Sequence, residues 1–185
     1  MADNIINIFS EVPEAMDDAL QALDRLDADI KAARARWGNP PDRFSQPGFS
    51  ALVRIILGQQ ISRAVANTLW SRMTEHSWCD APALAALDYA ALQNIGLSRR
   101  KAEYIIDLAR AEAEGRLDLE ALGQQPAGIF TQKLIAYRGV GGWTVSNYRL
   151  FCLADLDAWP GNDFCLLYTS PSPRDATLSR MPSSA

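Results

Sequence analysis

A glycine-rich turn at residues 139–142 constrains the fold of this chain more than any other feature of its sequence. The turn reads Gly-Val-Gly-Gly and lies between two segments that predict helices, residues 127–137 and 143–153. Glycine permits positive φ and close backbone approach, so the chain can reverse direction within a few residues. The pattern predicts a tight hairpin of two helices, whose outward amides at the second helix form a phosphate site. A plain helical hairpin with a glycine cap is the alternative.

The rest of the chain also carries helical signals. Apolar residues recur at intervals of three and four from Pro13 to Trp37, and Ser62 and Ser98 stand where N-caps would begin helices. No segment alternates with β-branched content, so we predict an all-α domain. The predicted helices cover residues 13–37, 49–57, 62–75, 82–93, 98–114, 127–137 and 143–153.

The distribution of charge matters more than its sum. The net charge is −4, but residues 1–30 hold eight acids and one base, whereas residues 31–165 hold 15 Lys and Arg against 13 Asp and Glu, a difference of +2. This excludes a protein that coats DNA with lysines. It is compatible with a protein that grips a few phosphates through backbone amides.

Cysteine usage and hydropathy limit the compartment. Cys79, Cys152 and Cys165 form neither a disulfide framework nor a metal spacing, which favours a reducing compartment and no metal. No apolar run reaches about 18 residues, and residues 1–10 contain no base. We therefore expect neither a membrane span nor a signal or transit peptide, and a cytoplasmic protein, nucleoid-associated if bacterial.

The C-terminal residues 166–185 differ from the rest, being rich in Ser and Pro without periodicity. The string LLYTSPSPRDATLSRMPSSA resembles translated sequencing-adapter or vector sequence, and a disordered C-terminus is the alternative. We expect three parts: an acidic N-terminal helix and linker at 1–45, a core at 46–165, and a spurious or disordered tail at 166–185. The native chain would then be interrupted near Cys165.

Four landmarks occur in order along the core. They are LGQQIS at 57–62, IGLSRRKA at 95–102, RGVGGWT at 138–144 and DAWPGND at 157–163. Together they resemble the helix-hairpin-helix DNA glycosylase superfamily, and the first two resemble its 3-methyladenine DNA glycosylase II branch. The resemblance covers residues 45–165. It implies an all-α, two-lobed glycosylase domain with a cleft between the lobes, here C-terminally truncated.

The resemblance implies that Asp163 is the catalytic carboxylate. Hydrolysis of an N-glycosidic bond builds positive charge on the sugar, which a buried carboxylate stabilises while it orients a water. One acid is sufficient when the leaving base is already cationic. An N-cap role for Asp163 is the alternative, and the two roles are compatible.

The same resemblance implies a base pocket. Relatives that also cut the strand place a Schiff-base lysine where this chain has Trp143, so the resemblance implies a monofunctional enzyme. Trp143 and Trp159 would stack on a cationic, alkylated purine, although core packing is the alternative for Trp143. Tyr148 and Asn147 complete the predicted pocket, and Asn147 departs from the aromatic residue that relatives carry there.

The remaining predictions concern contact with DNA. By family position Gln60 fills the space that the extruded base leaves, or else it satisfies backbone groups at a helix break. The basic residues 99–101 stand at the start of a predicted helix, where the helix dipole disfavours cations. They therefore contact phosphate or form a solvated face. The predicted DNA-binding set is Gln60, Ser98, Arg99, Arg100, Lys101, Arg138, Gly139, Val140, Gly141, Gly142 and Thr144.

These implications together describe a monofunctional DNA glycosylase of base-excision repair. It would act as a monomer on double-stranded DNA that carries alkylated purines of the 3-methyladenine type. The alternatives are a non-catalytic helix-hairpin-helix DNA-binding module, an inactive truncated fragment, and a glycosylase for oxidised or mismatched bases. No cofactor is expected, and the one ion that could be bound is a structural monovalent cation at the hairpin.

Overall fold

The computed structural model describes residues 16–39, 43–161, 163 and 166, and within these ranges all regular secondary structure is helical. The all-α prediction is confirmed. The first helix, α1, covers residues 16–26. The helices that follow are α2 Ala28–Trp37, α3 Phe49–Gly58, α4 Arg63–Glu75, α5 Ala81–Ala85, α6 Tyr89–Asn94, α7 Arg99–Ala113, α8 Leu119–Gly123, α9 Ala127–Leu134 and α10 Gly142–Cys152.

Side-chain capping explains the main differences from the predicted helices. The predicted helix 13–37 is broken at Asp27, whose carboxylate accepts from the N–H of Asp29 at 2.8 Å and so begins α2. The predicted helix 82–93 is broken in the same way at Asp88, which caps α6. Asp118 caps α8, in a segment without a predicted helix. An aspartate competes for backbone amides, so it begins a new helix where periodicity alone suggests continuity.

Two helices form the centre of the core. On α3, Leu52 and Ile56 are fully buried, and on α7 Ile105 and Ile106 are fully buried. Helix α3 packs against α4, α7 and α10, while α7 also packs against α5 and α6. Each such side chain stabilises the fold by about 1.5–3 kcal/mol relative to an exposed one. The second helix of the predicted hairpin, α10, is therefore anchored directly on the most buried helix.

Some predictions concern residues at or beyond the edges of this description. Residues 1–12 and almost all of the segment 166–185 lie outside the described residues, so the boundaries at 45 and 165 stay predictions. The cleft between two lobes also stays a prediction. Helices in the described part of the chain are too short or too polar to cross a membrane.

Candidate active site

The carboxylate of Asp163 lies at the start of α10. The indole Nε1–H of Trp143, the second residue of α10, donates a hydrogen bond to Oδ2 of Asp163 at 2.7 Å. The backbone N–H of Leu166 donates to Oδ1 at 3.2 Å. Asp163 is half-buried, so its carboxylate is held on both oxygens without being sealed in the core. It lies beside the hairpin, as expected, and the Leu166 contact has the geometry of the alternative N-cap role.

The loop before Asp163 is tied to α10. Arg149 Nε donates to Oδ2 of Asp155 at 2.9 Å, and the two side chains keep only 19% and 27% of their exposure. Ala158 and Pro160 are buried. The Asp163 N–H then donates to the Pro160 carbonyl at 2.9 Å. The loop is thus fixed by an ion pair at its beginning and by buried residues near its end. These contacts determine the position of Asp163.

The hairpin turn is packed against a tyrosine of α7. Gly139 has φ +84°, and a Cβ there would clash with the ring and the Cβ of Tyr104. The guanidinium of Arg138 lies over the same ring, 5.7 Å from its centroid. Val140 is buried, so of this residue only the backbone can face DNA. Gly141 is the N-cap residue of α10 and has no side chain that could accept from the amides of the first turn.

These two glycines provide a matched pair of variants. Gly139→Ala should destabilise the protein, because overpacking costs about 1–3 kcal/mol and the left-handed backbone about 1–3 kcal/mol more. Gly141→Ala should cost less than about 1 kcal/mol, since φ there is −108° and nothing lies within 4 Å of a Cβ. Urea unfolding of both variants measures the difference. Equal losses would contradict the packing of Gly139 on Tyr104.

The α3–α4 turn contacts the hairpin through Gln59, for which the sequence predicted no role. Gln59 Nε2 donates to the Gly139 carbonyl at 2.9 Å and to the Thr144 hydroxyl at 2.8 Å. Thr144 is 1% exposed, so its predicted DNA contact is wrong for the side chain. Gln60, the next residue, is exposed and has φ +58°. Non-glycine residues in this region are strained and concentrate at functional sites.

The basic run at 99–101 is divided between two environments. Lys101 is half-buried, and its Nζ donates to the carbonyls of Leu57 and Gln59, both at 2.6 Å. Burial lowers the pKa of Lys101. Its ammonium group binds the carbonyls at the end of α3, so the prediction that Lys101 contacts a phosphate is wrong. Arg99 is 79% exposed and pairs with Glu103 at 2.9 Å.

Ser98 and Arg100 complete that run. The Ser98 hydroxyl accepts from the Lys101 N–H at 3.4 Å and caps α7, as the sequence predicted. Arg100 is exposed. Among the residues of this run, Arg99 and Arg100 therefore keep side chains at the surface, where the phosphate and solvent interpretations both stay open.

The predicted base pocket is only partly assembled. Tyr148 is fully buried, stacks on Phe130 with ring centroids 5.7 Å apart, and accepts a hydrogen bond from the Gly48 N–H at 2.8 Å. Burial raises the pKa of Tyr148. It is a core residue, so its predicted pocket role is wrong. Asn147 is half-buried and donates back to the Trp143 carbonyl at 2.8 Å, while Trp159 is 68% exposed.

The described residues contain no cluster of three or more His, Cys, Asp or Glu side chains that could hold a metal. The absence of a catalytic metal and the monovalent cation at the hairpin both stay predictions. Within the turn, the carbonyl oxygen of Gly139 already accepts a hydrogen bond from Gln59.

Sequence reasoning missed three contributors to the site, namely Gln59, Tyr104 and Arg149. Each acts on a partner from another segment or across a loop, and the contact from Gln59 to Gly139 spans 80 positions. One local signal was available for Gln59, since an amide at the end of an otherwise apolar helix requires polar partners.

Comparison with known proteins identifies the family. Residues 53–169 match the HhH-GPD superfamily of base excision DNA repair proteins, and the chain belongs to this superfamily. The resemblance proposed from the four landmarks is confirmed.

Individual relatives refine the comparison. The chain is 35% identical to YfjP of Bacillus subtilis over 127 residues, covering 64% of this chain and 44% of that protein. It is 29% identical to DNA-3-methyladenine glycosylase 2 of Escherichia coli over 167 residues, covering 82% and 58%. The structure of Schizosaccharomyces pombe 3-methyladenine DNA glycosylase in complex with abasic DNA matches with a TM-score of 0.73 at 24% identity, covering 80% and 76%. The chain thus spans about half the length of the curated relatives it matches.

Proposed function

We propose that the protein is a monofunctional DNA glycosylase that hydrolyses the N-glycosidic bond of alkylated purines, of the 3-methyladenine type, in double-stranded DNA. One observation carries the proposal: the Asp163 carboxylate is held by Trp143 immediately beside the start of α10, whose N-cap residue, Gly141, has no side chain. A duplex whose backbone binds that helix start would have its sugars next to a fixed negative charge. The relatives named as 3-methyladenine glycosylases support the substrate class.

The roles follow from charge. The backbone amides at the start of α10 bind a phosphate without reading sequence. The extruded sugar then lies near Asp163, which stabilises the oxocarbenium-like charge and orients the attacking water. An alkylated purine is already cationic, so it leaves without a general acid, and the exposed face of Trp159 is available to stack on it.

The lysine inventory supports a purely hydrolytic reaction. The chain contains three lysines, Lys31, Lys101 and Lys133. Lys101 binds two carbonyls at the end of α3. Lys31 lies on α2 and Lys133 on α9. A Schiff-base mechanism needs a lysine at the reacting sugar, and position 143, where the relatives that cut the strand carry theirs, holds tryptophan.

A panel of damaged duplexes tests the substrate class. Free base released from methylated, oxidised and mismatched duplexes of one sequence should be scored separately, with the undamaged duplex as the control. We expect release from the methylated duplex alone. Release from the oxidised duplex alone would show that the substrates are oxidised bases rather than alkylated purines. Binding to every duplex without release of base would support the non-catalytic binding module.

A further inference from the structure

Gln59 connects the two parts of the site that would contact DNA. Its side-chain amide nitrogen lies 2.9 Å from the Gly139 carbonyl of the hairpin and 2.8 Å from the Thr144 hydroxyl of α10. A carbonyl oxygen can only accept, so the contact with Gly139 requires the nitrogen of the Gln59 amide on this side. One side chain therefore joins the α3–α4 turn to both the hairpin turn and the helix that follows it.

Lys101 holds the same turn from its other side. Its ammonium donates to the carbonyls of Leu57 and Gln59, both at 2.6 Å, at the C-terminal end of α3. The last carbonyls of a helix lack partners within the helix, and a cation there is favoured by the helix dipole. The backbone of Gln59 is thus fixed by α7 while its side chain is fixed by the hairpin.

The residue that follows is the one left strained and exposed. Gln60 has φ +58° and its side chain faces solvent, whereas Gln59 on one side of it is half-buried. A non-glycine residue stays in this conformation only when its surroundings determine the backbone on its behalf. The contacts of Gln59 and Lys101 fix the backbone directly before Gln60.

We propose that Gln59, Lys101 and Thr144 form a positioning strut, which holds Gln60 at a fixed place relative to the hairpin so that Gln60 meets the base gap of a duplex whose backbone the hairpin has bound. The inference rests on the proposed function, because it requires that the hairpin and Gln60 both face DNA. It assigns Gln59 and Lys101 an effect on discrimination between gapped and intact duplexes, without a direct contact to DNA.

The preference for a duplex with an abasic-site analogue over the same intact duplex tests the strut. The tetrahydrofuran analogue offers a gap that Gln60 can fill, whereas the hairpin can bind the backbone of either duplex. Gln59→Leu should reduce the ratio of the two Kd values by about tenfold, the effect of losing two ordinary hydrogen bonds, and leave the Kd for intact DNA unchanged. Gln93→Leu, at an exposed position on α6, is the matched control and should keep the full ratio.

Two further variants keep the test decisive if Gln59→Leu fails to fold. Thr144→Ser keeps the hydroxyl and should keep the preference, whereas Thr144→Val should weaken it. Lys101→Met should weaken the preference without changing how the affinity for intact DNA falls with salt. A phosphate ligand would lower that salt dependence by about one ion per lysine, and this result would overturn the strut role of Lys101.

The outcomes separate the strut from the proposed function. A wild type without any preference for the abasic duplex would count against the proposed function and, with it, the strut. A clear wild-type preference that Gln59→Leu retains would overturn the strut alone. Equal loss of affinity for both duplexes would also overturn it, because damage to the hairpin rather than to the placement of Gln60 gives that result.

Discussion

Asp163→Asn is expected to slow base release from methylated duplex DNA by about 10²–10³-fold, the usual effect of removing one electrostatic stabiliser of a transition state. Asparagine keeps the size of the side chain and one acceptor oxygen for the Trp143 indole. It removes the negative charge that opposes the developing charge on the sugar. Single-turnover release of free base, with enzyme in excess over DNA, measures the effect on the chemical step.

Binding provides the control for this variant. The hairpin amides and Trp159 are unchanged in Asp163→Asn, so its Kd for a duplex with an abasic-site analogue should stay within a few-fold of wild type. Release at the wild-type rate would remove Asp163 from the catalytic role. A parallel loss of binding and of thermal stability would assign Asp163 to the N-cap contact with Leu166 alone.

Trp143→Phe should have the second largest effect on base release. Phenylalanine keeps an aromatic ring at the start of α10 but loses the N–H that holds Oδ2 of Asp163 at 2.7 Å. A hydrogen bond to a charged group contributes about 1.5–3 kcal/mol, which corresponds to about ten- to a hundredfold in rate. Trp70→Phe, a half-buried residue of the core away from this contact, is the control for the change of ring.

A double-mutant cycle distinguishes positioning from a direct contact with the base. If Trp143 acts by orienting the Asp163 charge, Trp143→Phe should have little further effect in the Asp163→Asn background. Additive effects of the two substitutions would show that Trp143 works independently of Asp163, as a pocket wall does. The same single-turnover measurement applies to all four proteins of the cycle.

Local rules predicted much of the fold and part of the site. Periodicity and the serine caps located α3, α4 and α7 to within a residue or two, because both signals depend on neighbours in sequence. The breaks at Asp27 and Asp88 were missed because an aspartate on a polar helix face looks the same whether it caps or not. The glycine turn was placed correctly, since the backbone itself demands glycine at position 139.

Long-range contacts decided the predictions that failed. Tyr148 looked like a pocket aromatic, but its hydroxyl meets the Gly48 amide, 100 positions earlier. Lys101 was predicted to bind phosphate, but its ammonium donates to the carbonyls of Gln59 and Leu57, 42 and 44 positions earlier. No local pattern encodes such partners, because they depend on which helices pack together. Asp163 and Trp143 are only 20 positions apart, and their juxtaposition follows from the short loop between them.

The most direct test of the central claim is reaction with methylated duplex DNA in the presence of borohydride, with free base, strand breaks and covalent adducts scored separately. A hydrolytic glycosylase that relies on Asp163 should release free base, leave an unbroken strand that alkali then cleaves, and form no trapped adduct. A trapped protein–DNA adduct or a strand broken without alkali would contradict the account. Mapping the attachment site of such an adduct would then identify the nucleophile.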